Sequence, residues 1–221
     1  MMCSMTDQTE VKMPSVDATL EQGSPEWLQA RCGSLGASRI GDAIAKTKSG
    51  WGASRENLMA ELAIERITGK PTETYVSAPM QWGKDNEDDA RTAYEFRYDV
   101  EVKQVGLIRH PTIRGTHASP DGLVGDDGMV EIKCPNSATH IATLKGAVIP
   151  LKYRLQCQWQ MICADRQWCD WVSFDPRMPE SMRMECRRIH REDSKVLEAD
   201  VKEFLDELEE GVAWLNEKFA A

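Results

Sequence analysis

Histidine and paired cysteines are scarce in this chain, and long apolar runs are absent. Four histidines and seven cysteines (Cys3, Cys32, Cys134, Cys157, Cys163, Cys169 and Cys186) form no C-x-x-C pair. That spacing argues against a zinc site with His110, His117, His140 or His190 and against a disulfide framework, and it suits a reducing cytoplasm, the expected location. Cys157 and Cys163 read instead as small core residues. No motif pairs a cysteine nucleophile with a histidine base. No stretch approaches the ~20 consecutive apolar residues of a membrane span, so no membrane partner is expected. Residues 1–23 lack the apolar core of a secretory signal and are expected to form a flexible N-terminal arm. There is no internal repeat, and residues 24–221 are long enough for one α/β core.

Positive charge is also in deficit. Lys and Arg number 27 against 36 Asp and Glu, a formal net charge of −9. Non-specific affinity for duplex DNA scales with phosphates neutralised, so random adhesion to nucleic acid is disfavoured. The deficit is uneven: residues 131–191 carry +4 and residues 192–221 carry −7. A polyanion would have to be held locally or by enclosure.

What is present, in concentrated form, is acid-and-lysine chemistry. Ser119-Pro120-Asp121-Gly122 is followed by the turn Gly125-Asp126-Asp127-Gly128 and then by Glu131-Ile132-Lys133. The turn predicts a hairpin. Alternation along the second strand places Glu131 and Lys133 on one face and Val130 and Ile132 on the other. Carboxylate oxygens are hard ligands for Mg²⁺ or Mn²⁺, and magnesium needs only one or two of them beside water and phosphate oxygens. A lysine nearby can polarise an attacking water and screen the charge of a phosphoryl transition state.

A third acid, Glu87, falls on the helix predicted over Pro79 to Tyr98. It shares a face with Gly83, Ala90 and Tyr94, away from Asp85, Asp88, Asp89 and Arg91, which read as solvated. An inward carboxylate needs a metal or a cation; an arginine partner is the plain alternative. Read by themselves, Ser38 is an N-cap for a helix over Arg39 to Ala45, Arg31 a solvated end of the helix opened by Ser24 and Pro25, Gln156 a surface glutamine in the helix after Pro150, and Met80 a core methionine.

WGKDNEDDAR, SPDG and EIKCP, followed by LQCQWQ and FDPR, together resemble the phage lambda exonuclease type of viral recombination nuclease (YqaJ-like) in the PD-(D/E)xK superfamily. The likeness runs from Ser24-Pro25-Glu26-Trp27 to Asp175-Pro176-Arg177, about two-thirds of the chain. It implies metal binding by Asp121, Glu131, the Ile132 carbonyl and Glu87, with Lys133 as the catalytic lysine and Gln156 lining the site. It further implies that Arg31 and Ser38 bind the 5′-phosphate, that Met80 is a strand-parting wedge and that Lys48 contacts DNA. Lys48 stands where the family has an arginine, and a lysine lacks that planar fork.

The resemblance implies two Mg²⁺ ions, with Mn²⁺ able to substitute. The implied activity is 5′-to-3′ degradation of one strand of linear double-stranded DNA, releasing 5′-mononucleotides and leaving 3′ single strands for recombination by strand annealing. A ring-shaped homotrimer and a single-strand annealing protein are the implied partners. The implied fold is a mixed central β-sheet flanked by helices, a restriction-endonuclease-like core, which the order of predicted helices and strands accommodates. Val100 to Ile108 reads as one strand. The acidic terminal helix carries the stripe Leu197, Val201, Phe204, Leu208, Val212 and Leu215, which reads as a cover for one side of the core. A superfamily endonuclease, of restriction or junction-resolving type, and a nuclease-inactive DNA-binding or annealing module remain as alternatives.

Overall fold

The computed structural model describes residues 16–17, 19–48, 50–73 and 76–220. The chain begins with β1 (Val16–Asp17), α1 (Pro25–Arg31) and β2 (Leu35–Gly36). A 3₁₀ turn (Ala37–Arg39) leads into α2 (Ile40–Ala43), the hairpin β3 (Lys46–Thr47) and β4 (Gly50–Trp51), and the helices α3 (Ala53–Thr68) and α4 (Ala78–Tyr98). Five strands follow: β5 (Val102–Lys103), β6 (Leu107–Arg109), β7 (Thr116–Ala118), β8 (Gly122–Val124) and β9 (Gly128–Lys133). The remainder is α5 (Ser137–Leu144), α6 (Leu151–Ala164), β10 (Trp168–Phe174), a 3₁₀ turn (Glu180–Met182), β11 (Met184–His190) and α7 (Lys195–Phe219).

Strand β9 is the middle of a five-stranded mixed sheet in the order β11-β10-β9-β8-β5, in which only β9 and β10 run parallel. Alternation divides its faces as the sequence predicts. Val130, Ile132, Val172 and Phe174 pack with Ala90 and Tyr94 of α4, while Met129, Cys169 and Trp171 join a second core with Cys157, Trp159 and Ile162 of α6. Helix α4 is started by Ser77, whose hydroxyl accepts from the Met80 N–H, and by Pro79 in its first turn. It is fastened to β10 by the buried bond from the Tyr94 hydroxyl to Asp170 at 2.8 Å, an acid also held by Arg188.

The strand expected over Val100 to Ile108 is two strands in two sheets. β5 edges the five-stranded sheet, and β6 joins a four-stranded sheet ordered β1-β6-β7-β2. Gly106 lies at the break, where an added Cβ would sit 2.0 Å from the Leu20 carbonyl oxygen, so only glycine permits that approach. The expected arm over residues 1–23 is corrected in its last part. Val16–Asp17 pair with Leu107 and Ile108, and the Gln22 side chain donates to the carbonyls of Val105 and Pro120. Residues 1–15 of that arm lie outside the described residues.

Helix α7 covers the core through Val201, Phe204, Leu208 and Val212, as its stripe predicts. Its acids are partly met by Arg55–Glu207 (2.9 Å) and Arg66–Glu209 (2.8 Å) from α3. No helix among the described residues is long and apolar enough to cross a membrane.

Candidate active site

The β8–β9 hairpin turns through Gly125 at φ 54°, a left-handed conformation that suits glycine, and sets Gly122 opposite Val130. Asp121 just precedes β8, and its Oδ2 accepts from the Ile132 N–H at 2.6 Å. That bond pins Asp121 against the Glu131–Ile132 peptide. Glu131 is fully buried on the α6 side of β9, and the Lys133 ammonium bonds its Oε1. Burial and then the Glu131 charge push the Asp121 carboxyl well above the usual range. Burial alone would lower the Lys133 ammonium, but the charges of Glu131 and Asp121 outweigh it and raise it.

Two turns of α6 complete the bracket. Gln156 Nε2 donates to Glu131 Oε1 and Gln160 Nε2 to Glu131 Oε2, both at 2.6 Å. Gln156 is therefore buried rather than on the helix surface. Gln160 is not among the residues expected at the site, although its position four residues after Gln156, one helical turn on, is the signal that finds it. Its Oε1 is buried without a partner among the described residues.

Asp121, Glu131, Lys133, Gln156, Arg31 and Ser38 all line one cavity of about 160 Å³. Glu87 does not. It lines an adjoining cavity of about 600 Å³, with Gln22 and Trp27 as shared walls, and pairs with Arg91 at 3.2 Å. Burial, only partly offset by Arg91, raises its carboxyl, and Glu131 raises it further. Arg91, read from the sequence as solvated, is buried and bonds both Glu87 and Asp88. Its place one helical turn beyond Glu87 lets it fold back onto that acid.

In the cavity lined by Asp121 and Glu131, Arg31 is neither solvated nor met by a carboxylate among the described residues. Its Nε donates to His117 Nε2 at 3.0 Å and its guanidinium lies 3.9 Å from the centre of the Trp27 ring. Ser38 lies within the 3₁₀ turn and caps no helix: α2 begins after Arg39, with no side-chain cap. Met80 is 47% exposed in the first turn of α4 and so is not a core residue. Lys48 is exposed beside the β3–β4 hairpin and lines neither cavity.

The donor set suits a hard divalent cation. Asp121 and Glu131 crowd one another in a buried place that disfavours negative charge, and all the candidate ligands are oxygens. Among the described residues no three of His, Cys, Asp and Glu form a ready-made metal cluster. The acids that line the cavity are Asp121 and Glu131, a number magnesium tolerates because it keeps several waters.

A paired acid set, a lysine and an unneutralised arginine around one cavity on a mixed sheet form a phosphodiester-hydrolase type of site. Residues 26–167 match the YqaJ-like viral recombinase domain. The alkaline exonuclease LHK-Exo of Laribacter hongkongensis is 47% identical, with 89% of this chain and 98% of that chain covered at a TM-score of 0.82. LHK-Exo in complex with dAMP superimposes at 0.83, with 46% identity over the same shares. The chain belongs to the YqaJ-like viral recombinase family and is a nuclease of the phage lambda exonuclease type. A phage-related exonuclease of Haemophilus somnus, 14% identical over 84% of this chain and 96% of its own at a TM-score of 0.62, shares the fold. A curated protein of Acanthamoeba polyphaga mimivirus is 32% identical over 92 residues, 36% of this chain, and the match spans 17% of that protein.

Proposed function

We propose that the protein is a Mg²⁺-dependent 5′-to-3′ exonuclease on linear double-stranded DNA, releasing 5′-mononucleotides and leaving a 3′ single strand for annealing. The observation that carries this reading is that one small cavity is lined by Asp121, Glu131 and Lys133 together with Arg31 and Ser38. A phosphate anchored at Arg31 would place a terminal nucleotide, rather than an internal one, across the acids. The dAMP bound by LHK-Exo is a 5′-mononucleotide, in keeping with such a product.

Two Mg²⁺ ions would supply Lewis acidity and neutralise charge as the phosphodiester breaks, with Mn²⁺ able to replace them. Asp121, Glu131 and the Ile132 carbonyl would hold them, with Glu87 reaching in once released from Arg91. Gln156 and Gln160 hold the two oxygens of Glu131 from α6, which would leave a lone pair of Oε2 for a cation. Lys133, kept protonated by both acids, orients the attacking water and stabilises charge building on the phosphoryl oxygens. Met80 and Lys48, both exposed, are free to meet the duplex outside the cavity.

The net charge of −9 favours retention on DNA by enclosure over retention by charge, which agrees with a ring-shaped homotrimer; a single-strand annealing protein is the proposed functional partner. Digesting 5′-phosphorylated linear duplex and covalently closed circular duplex side by side in Mg²⁺ tests the reading. Mononucleotides from the linear form alone are expected. Comparable cutting of the circle would establish an endonuclease instead.

A further inference from the structure

The cationic wall of the cavity rests on an unusual partner. Arg31 Nε–H donates to His117 Nε2 at 3.0 Å, and His117 Nδ1 lies 2.8 Å from the Ser34 hydroxyl. Because Nε2 accepts from the guanidinium, a neutral ring must carry its proton on Nδ1 and donate it to Ser34. Burial first, then the charges of Arg31 and Arg109, pull the His117 imidazole down to about 3, so the ring stays neutral at any working pH. Glu65, the nearest acid acting on Arg31, has its own oxygens engaged by the N–H groups of Gly33 and Thr72.

Arginines held this deep usually meet a carboxylate, which would fix the geometry but cancel the charge. Here an uncharged acceptor fixes the geometry alone. His117 also stands on β7, four residues before Asp121, with Gly36 of β2 as its register partner. The strand that orients the arginine therefore continues directly into the acid of the hydrolytic set.

We propose that His117 is a positioning residue for the DNA end: as a neutral acceptor, itself set by Ser34, it aims Arg31 into the cavity and leaves the guanidinium charge for the 5′-phosphate. This deepens the proposed function and rests on the assignment of Arg31 to that phosphate. Without the histidine acceptor the guanidinium would swing; with an acid in its place it would already be neutralised.

The test compares kcat and KM on linear duplexes bearing a 5′-phosphate or a 5′-hydroxyl, for the native protein and for Arg31→Ala, His117→Gln, His117→Asp and Ser34→Ala. His117→Gln keeps a neutral acceptor and should retain the native preference for phosphate within about threefold, whereas His117→Asp should lose about tenfold or more of it, through KM. Ser34→Ala, a small change at a partly buried position, frees the tautomer and should lower the preference by a smaller factor. The readout is the ratio of kcat/KM on phosphate ends to that on hydroxyl ends, since a general packing defect lowers both alike and leaves the ratio unchanged. If Arg31→Ala abolishes the preference while His117→Asp and Ser34→Ala keep it, the phosphate site stands and the role of His117 falls. If Arg31→Ala leaves the preference intact, the phosphate assignment itself fails, and this inference with it.

Discussion

Replacing Gln160 with leucine separates a role in holding the site from a role in holding the fold. Its Nε2 bonds Glu131 Oε2 at 2.6 Å from a position with no exposure, and its Oε1 has no partner among the described residues. Losing a hydrogen bond to a charged acceptor costs about 1.5–3 kcal/mol, while removing a stranded buried carbonyl relieves about 1–3 kcal/mol. The two have opposite sign and similar size, so the melting temperature of the metal-free protein should move by less than about 4 °C. Glu131 is affected differently. With Gln160 gone, both remaining donors, Gln156 and Lys133, pull on Oε1 alone, and the carboxylate is no longer held from both ends. Partners that orient a ligating carboxylate are typically worth about 10–100-fold in metal affinity or activity. Mononucleotide release titrated with Mg²⁺, beside thermal melts with and without the ion, reads both quantities. The half-saturating Mg²⁺ concentration should rise by about 10–100-fold while the metal-free melt stays put. A melt lowered by more than about 8 °C with an unchanged Mg²⁺ requirement would show that Gln160 only braces the core, and would refute the reasoning.

Lys133→Ala should lower turnover by about 10²–10³-fold or more while leaving anisotropy-measured binding of linear duplex intact, and retained turnover would remove Lys133 from the chemistry. Exchanging Glu131 for glutamine sets an amide against the Gln156 and Gln160 amides and removes the Lys133 counter-charge; Mg²⁺ should then no longer raise the melting temperature, as calorimetry would show. Stability should fall as pH drops from 6.5 towards 3, because the unfolded chain takes up a proton at position 117 that the folded ring refuses. The slope attributable to His117 approaches about 1.4 kcal/mol per pH unit. Urea titrations across that range should show His117→Gln with a shallower slope, with some slope left from His110, which burial also lowers.

Much of the site was legible because β-strand alternation is rigid. A residue two positions from Glu131 must share its face, so Lys133 and the opposed Val130 and Ile132 followed directly from the sequence. The hairpin was equally readable from Gly125 and the aspartates after it. Helix faces were harder to assign. Glu87, expected to point inward with Ala90 and Tyr94, stays 34% exposed and pairs with Arg91, which reads as solvated only because its long side chain reaches back one turn to that acid. Gln156 reads as a surface glutamine, and only the buried Glu131 opposite makes it, and Gln160 one turn on, core contacts. Gly106 gave no warning that Leu20 would press against it, since that contact is remote in sequence; hence one expected strand became two, and the end of the expected N-terminal arm became part of the fold. Ser38 resembled a cap because serine favours helix starts, yet the 3₁₀ turn takes it past that position.

Hydrolysis by this site requires that Asp121 and Glu131 hold a divalent ion beside Lys133. A crystal of the protein soaked in Mn²⁺, with anomalous scattering recorded at the manganese edge, tests this directly. A peak is expected within coordination distance of both carboxylates and the Ile132 carbonyl, absent from Glu131→Gln. Manganese bound only elsewhere, or the same peak persisting in that variant, would contradict it.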